Sequence, residues 1–187
     1  MREERRLLWL ALAALVLFAA GATVALTRSH DAHGDVVDKE LLAFLSEARA
    51  LHHEANIEES SADLAGAAKT MERLVAARRP HDGPEVEEVL ADAYARLAEL
   101  ELRQDALAPA AKAVENGLAH APAPTYFRGH LIEVQGLVEE ARAAQLADAG
   151  KVAEAAAART RAISLLEDVV KIQDQVIQTS LADGGAK

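Results

Sequence analysis

Leu64–Lys69 reads LAGAAK and Leu107–Lys112 reads LAPAAK, 43 residues apart, and a weaker echo, VAEAA, stands 45 residues further on at Val152–Ala156. Alanine is the dominant residue of the chain, so short alanine-rich matches arise easily by chance. The first two matches continue in register, however: Met71, Glu72, Val75 and Ala76 answer to Val114, Glu115, Leu118 and Ala119. Apolar residues recurring at three and four are the pattern of a helix that buries one face. Paired alanines at the same point of each unit let two helices approach closely just after a turn, where bulky side chains would hold them apart. We therefore read the chain as a helical unit repeated three times.

Working outward from these joints, the sequence predicts six helical segments between residues 36 and 182. The first, about 36–55, places Val37, Leu41, Phe44, Leu45, Ala48, Leu51 and Ala55 on one face, with a polar turn at NIEESS, residues 56–61. The second, about 61–78, carries Leu64, Ala67, Ala68, Met71, Leu74 and Val75; Arg78 and Arg79 suit its C-terminus, and Pro80 stops it. Pro84 fits the first position of the third segment, where acidic residues complement the helix dipole. Its stripe is Val86, Val89, Leu90, Ala93, Tyr94 and Leu97. Asp105 is the expected N-cap of the fourth segment, which holds Leu107, Ala110, Ala111, Val114 and Leu118 and stops before APAPT. Thr125 is the expected cap of the fifth, with Phe127, Leu131, Val134, Val138 and Ala141 inward. Asp148-Ala149-Gly150 breaks the pattern, and a long sixth segment follows over about 151–181, leaving 183–187 as a tail.

Composition agrees with an all-α class. Aromatic residues make up 3% of the chain, too few for a strand-rich core, while 51% is hydrophobic, enough for one domain in 187 residues. The absence of cysteine excludes disulfides, thiolate metal sites and cysteine nucleophiles. Net charge is −10, and four of the 20 basic groups but only two of the 30 acidic ones fall within the first 30 residues. The remainder is acidic without Lys/Arg clusters, which argues against nucleic acid as a partner.

Those first residues have a different logic. Leu7–Leu26 is an uncharged run that spans about 30 Å as a helix, the hydrocarbon thickness of a bilayer. Trp9 sits near one end, as interfacial aromatics do. Arg2, Arg5 and Arg6 precede the run and Arg28 follows it, so the positive-inside rule holds residues 1–6 in the cytoplasm. The expectation is a single-pass signal anchor over 7–27, a polar linker over 28–35 and an exported domain, periplasmic in a bacterium. The competing reading is a cleaved signal peptide with Ala20-Gly21-Ala22 as the cleavage site. The apolar run continues past that site through Leu26, which favours retention.

In the middle unit, Tyr94, Leu97 and Ala98, then Ala110, Val114, Gly117-Leu118 and Pro122, stand at the spacing of the tetratricopeptide (TPR) repeat, and over about residues 91–122 the chain resembles that family. Leu74-Val75 and Pro80 keep the pattern with one extra residue. The third unit has Arg159 where a large apolar residue is expected, and the spacing of 43 to 45 is longer than the family's. The resemblance implies three antiparallel helical hairpins, in a right-handed stack or an elongated bundle, that bind a protein or peptide partner without catalysis.

Candidate sites are few. His52-His53-Glu54 and His30-x-x-His33 invite a metal, but no Glu-x-x-His, His-Glu-x-x-His or haem attachment motif accompanies them, and His52 continues the face of Leu45 and Ala48. No metal or other cofactor is expected. Glu87-Glu88 and Glu139-Glu140 diverge by 100 degrees on a helix and read as solvated faces. With no nucleophile motif or phosphate loop, an enzyme is not expected. Asp92, Arg96, Glu99 and Arg103 share one face of the third helix, either as two intrahelical salt pairs or, following the family resemblance, as groups that meet a peptide. On the last helix, Ile163, Leu166, Val170 and Ile177 form one stripe and Leu165, Val169, Ile172 and Val176 an adjoining one, wider than one neighbour needs. Val169, Ile172 and Val176 are thus candidates for contact with a partner or a second copy, unless they cap the stack against the fifth helix. The expected function is a membrane-anchored, non-enzymatic interaction scaffold; the alternative is an exported helical sensor that reports ligand binding through a membrane partner.

Overall fold

The computed structural model describes residues 38–184, which form six helices and, among the described residues, no strand. They are α1 (Lys39–Ser60), α2 (Leu64–Val75), α3 (Pro84–Arg103), α4 (Leu107–His120), α5 (Tyr126–Asp148) and α6 (Val152–Gly184). The expected anchor at 7–27 and linker at 28–35 lie outside the described residues. No helix among the described residues is long and apolar enough to cross a membrane.

The helices pair as α1/α2, α3/α4 and α5/α6, and the pairs associate in a regular order. α3 packs on both α1 and α2, α5 packs on both α3 and α4, and α6 touches α5 alone among the described residues. The three turns inside the pairs have one backbone geometry. Ala62, Asp105 and Gly150 each adopt a left-handed φ, of 61°, 58° and 72°. At each, the next amide reaches back to the third-last helical carbonyl: Asp63 N to Glu58 O at 2.8 Å, Ala106 N to Glu101 O at 2.9 Å, Lys151 N to Leu146 O at 2.9 Å. The amides of Ala62, Asp105 and Gly150 themselves bond Glu59, Leu102 and Ala147. This is the Schellman ending, which satisfies carbonyls that a helix terminus leaves free. The turn residues are spaced as the LAGAAK, LAPAAK and VAEAA segments are, two positions ahead of each, so the sequence repeat is also a repeat of backbone conformation.

Close packing across each pair comes from both partners. Ala67, Ala110 and Ala155, the same residue of each echo, are all buried. Opposite them the first helices bury small residues seven apart: Ala48 and Ala55 on α1, Ala91 and Ala98 on α3, Gly136 and Ala143 on α5. The main core fills the remaining space with Met71, Leu74, Leu100, Val114, Leu131 and Val134, each 2% exposed or less. Burial of such side chains is worth about 1.5–3 kcal/mol each. Gly117 marks the tightest crossing, since a Cβ there would lie 2.5 Å from Leu131 Cδ2 and 2.8 Å from Tyr94 Cβ.

Several boundaries differ from those read from sequence. The NIEESS segment is helical through Ser60, because the left-handed residue that ends α1 is Ala62. Asp105 is not a cap: it occupies the left-handed position of its turn, and α4 begins after Ala106 without a side-chain cap. α2 ends at Val75, so Arg78 and Arg79 lie in the following loop. Its own cap is Asp63, which accepts from Gly66 N at 2.8 Å. Thr125 does cap α5, accepting from Arg128 N at 3.3 Å, and Pro84 is at the start of α3. α6 runs to Gly184, past the expected end of the domain at 182.

Backbone geometry at the turns and at the tight crossing makes two stability predictions. Asp105→Gly is expected to stabilise the fold by about 0.5–1 kcal/mol and Gly150→Ala to destabilise it by about 1 kcal/mol, read by urea unfolding. Gly117→Ala is expected to cost about 1–3 kcal/mol by overpacking, although alanine is the better helix former. Gly136→Ala meets nothing closer than 3.5 Å and should be tolerated in the same melts.

Candidate functional site

The four polar residues singled out on α3 do not pair with one another. Each reaches across to another first helix. Arg96 is the hub: its Nη2 donates to Asn56 Oδ1 at 2.7 Å and Glu59 Oε2 at 2.5 Å, and its Nη1 donates to the His52 carbonyl at 3.1 Å. Arg103 joins Glu59 from the next turn. Asp92 lies 3.7 Å from His52 Nε2, and Glu99 Oε1 meets His130 Nε2 of α5 at 3.2 Å. The pairing expected within α3 is therefore replaced by a seam of polar contacts that runs from α1 through α3 to α5.

The seam exists because α1 is longer than its sequence suggested. His52, Asn56 and Glu59 are spaced four and three apart, one helical face, provided that the chain remains helical through residue 59. Reading NIEESS as a turn removes Glu59 from that face and leaves Arg96 with Asp92 as the obvious partner. The signal was present in the sequence, as a polar stripe on one helix facing a polar stripe on another, but long side chains choose partners by tertiary distance. Arg96 is the most buried of the seam's charged groups, and charge-assisted hydrogen bonds of this kind contribute about 1.5–3 kcal/mol.

Beside the seam, α5 presents Tyr126, His130 and Glu133. The Tyr126 ring is 60% exposed and its centroid lies 6.3 Å from that of His130. Burial of part of the phenol, together with the charges of Asp92, Glu133 and Glu99, raises the Tyr126 pKa. The two seam histidines are tuned in opposite directions. Burial lowers the His52 pKa, with Asp92 opposing and Arg96 adding to the effect. Burial also works against a charged His130, but the hydrogen bond and charge of Glu99, with Asp92 and Glu133 behind it, outweigh it and raise its pKa.

A second feature, mostly apolar in its lining, lies between the α2–α3 loop, the end of α4 and the start of α5. It is a cavity of about 510 Å³ lined in part by Pro84, Glu87, Glu88, His120 and Phe127. His120 stacks on Tyr94 at 5.6 Å, and its Nδ1 lies 2.6 Å from Glu87 Oε2. Burial, with Glu85 nearby, raises the Glu88 pKa. Glu139 also departs from its solvated reading: it is buried between α5 and α6, where Arg142 and Arg161 Nε, the latter at 2.7 Å, neutralise it. Among the described residues, no group of three His, Asp or Glu side chains is placed to hold a metal ion.

The candidate residues of α6 divide between two sides. Val169 is buried and Ile172 and Val176 are half-buried, turned toward α5, where Ile172 Cγ2 lies 3.5 Å from the position of a Cβ on Gly129. The exposed side carries Ile163, Val170, Ile177 and Leu181, while Leu166, 44% exposed, stands at the edge of the α5 contact, its Cδ2 3.5 Å from the position of a Cβ on Gly136. The stripe named as a partner candidate is therefore the one that caps the stack, and its neighbour faces out. In comparisons with known proteins, the chain matches no family model, no curated protein and no solved structure.

Opposite shifts give the two histidines opposite effects on stability. His130, raised, stabilises the fold fully below pH 6.5 and loses that contribution as pH rises through its folded pKa. His52, lowered, contributes above pH 6.5 and loses it as pH falls through its folded pKa. In an NMR titration His130 is expected to titrate above, and His52 below, the ordinary histidine value. Glu99→Gln should bring His130 down while leaving His52 in place; an unmoved His130 would refute the assigned cause.

Proposed function

We propose that this protein is a non-enzymatic interaction scaffold, anchored in the bacterial inner membrane through residues 7–27, whose TPR-like periplasmic domain holds a segment of a partner protein on the face made by α1, α3 and α5. The observation that carries the reading is the order of packing: α3 contacts both helices of the first pair and α5 both helices of the second, so α3 lies beside α1 and α5 beside α3. Such a row offers an extended surface to an extended segment, which is how the resembled family uses it. The anchor and its orientation rest on the uncharged run and the arginines before it.

The chemistry of that face defines the partner segment. Arg96 and Arg103 are committed to Glu59, whereas Asp92, Glu99 and Glu133 put negative charge near enough to the exposed Tyr126 to raise its pKa. Carboxylates beside an accessible aromatic face suit a lysine or arginine side chain, which gains both ion pairing and a cation–π contact. A basic segment of a membrane or periplasmic protein is the corresponding partner.

A photo-crosslinking amino acid placed at position 126 of the full chain tests this in the native membrane. The expected result is an adduct that maps repeatedly to one Lys/Arg-bearing segment and falls at least about tenfold with Asp92→Lys or at high salt, as screened charge contacts do. Adducts no more frequent than from a probe at exposed Leu42 would overturn the proposal. The cavity beside Glu88 and His120 supports a second reading, an exported ligand sensor. Thermal melts with small alkylammonium compounds distinguish it when repeated in variants, because a stabilisation that Glu88→Gln removes and Asp92→Lys leaves in place belongs to the cavity.

A further inference from the structure

The outward side of α6 is the end of the stack, and its chemistry is not that of an ordinary end. Counting from the turns, Ala156, Arg159 and Ile163 correspond to Ala68, Met71 and Val75 of α2 and to Ala111, Val114 and Leu118 of α4. In the first two pairs these positions are covered wholly or in part by the next pair of helices. In α6 they are exposed, and Arg159 replaces the fully buried Met71 and Val114. A charge there rejects another pair stacked in the same manner. Beyond Arg159, however, α6 turns apolar again. Ile163, Leu166, Val170, Ile177 and Leu181 are all at least 44% exposed over about 27 Å of helix.

Four of the five, all but Leu181, share the coiled-coil period. Ile163, Val170 and Ile177 occupy one core position of successive heptads, and Leu166, Gln173 and Ser180 the other. The first position is β-branched in all three heptads, which favours two parallel strands; at the second only Leu166 is apolar, and it also meets Gly136 of α5. We infer that the outward stripe of α6 pairs with α6 of a second copy of this chain as a short parallel coiled coil.

Three features select this occupant and direction. In a parallel pair each core residue meets its own copy, so Gln173 meets Gln173 and the apolar layers remain apolar. An antiparallel pair with full overlap would set Ile163 against Ser180 and Val170 against Gln173, leaving the amide without a matched partner. The flanking charges agree: Glu167 and Asp174 meet no acidic residue in the parallel pair, where the opposite flank is the buried Ala162 and Val169 edge, but meet one another in the antiparallel one, where like charges repel. The area is also sufficient for a modest dimer. A seam of this length buries on the order of 400–600 Å² per copy, the low end for specific association, so micromolar affinity is expected. α5 holds much of α6 helical in advance, which reduces the ordering cost of pairing.

The chain has no cysteine, so single cysteines report the geometry directly. In the purified full chain in detergent micelles, Ser180→Cys is expected to form a disulfide-linked dimer at least about tenfold faster than Gln178→Cys, which points away from the seam. The double variant Ile163→Ser, Val170→Ser should abolish the link from position 180 while leaving the circular dichroism spectrum unchanged. Monomer mass by light scattering at tens of micromolar would overturn the proposal. So would equal rates at 178 and 180, or retention of the link in the double variant. An antiparallel pair would place the two 180 positions about 25 Å apart and give no link, which also refutes the arrangement.

Discussion

The close approach of two helix backbones across each hairpin is the constraint on which the rest of the structure depends. It requires small side chains on both helices at the crossing, and Ala48, Ala55 and Ala67 supply them in the first pair as Ala91, Ala98 and Ala110 do in the second and Gly136, Ala143 and Ala155 in the third. It also requires that each chain reversal deliver the second helix at the same height and rotation. The Schellman turns at Ala62, Asp105 and Gly150 do this, although three chemically different residues occupy the left-handed position. Once the pairs are that tight, each leaves a groove into which the next first helix fits, and Gly117 is where the fit leaves no room for even a methyl group.

That packing places first helix beside first helix, and the electrostatics follow from it. Arg96 and Arg103 are drawn to Glu59, and Glu99 to His130, because the neighbouring helix offers acceptors in a partly desolvated setting. Neighbours on a single exposed helix gain only about 0.2–0.5 kcal/mol by pairing, too little to compete. The same burial separates the two histidines, since His52 sits beside the Arg96 guanidinium and His130 among carboxylates. The polar face is thus both a structural seam and, around Tyr126, an accessible acidic and aromatic surface.

The three hairpins are alike in backbone and unlike in chemistry, and the differences lie where function can use them. Counted from its turn, buried Glu139 stands where α1 has Leu51 and α3 has Tyr94, and it is held by Arg142 and Arg161 instead of by apolar neighbours. Arg159 closes the stack where Met71 and Val114 continue it. α6 then extends past the start of α5, carrying an apolar stripe that stays exposed apart from the contact of Leu166 with Gly136.

Much of this was legible in the sequence. Apolar periodicity located all six helices, and the alanine echoes located the joints, because both depend on spacing along one chain. Pro84 and Thr125 marked helix starts for equally local reasons. Helix ends were harder: Ala62 and Asp105 accept a left-handed conformation that neither residue advertises, so the end of α1 and the role of Asp105 were decided by the hairpin as a whole. Partner choice was harder still. Periodicity states which residues share a face but not which way the face is turned, so only the tertiary structure could show that Val169, Ile172 and Val176 meet α5 while Ile163, Val170 and Ile177 face outward. For the same reason Arg96, with four rotatable bonds and a long reach, found Glu59 across the helix boundary instead of a neighbour on its own helix. Local physics determined the elements and their joints; the rotation of each helix against its neighbours determined the sites.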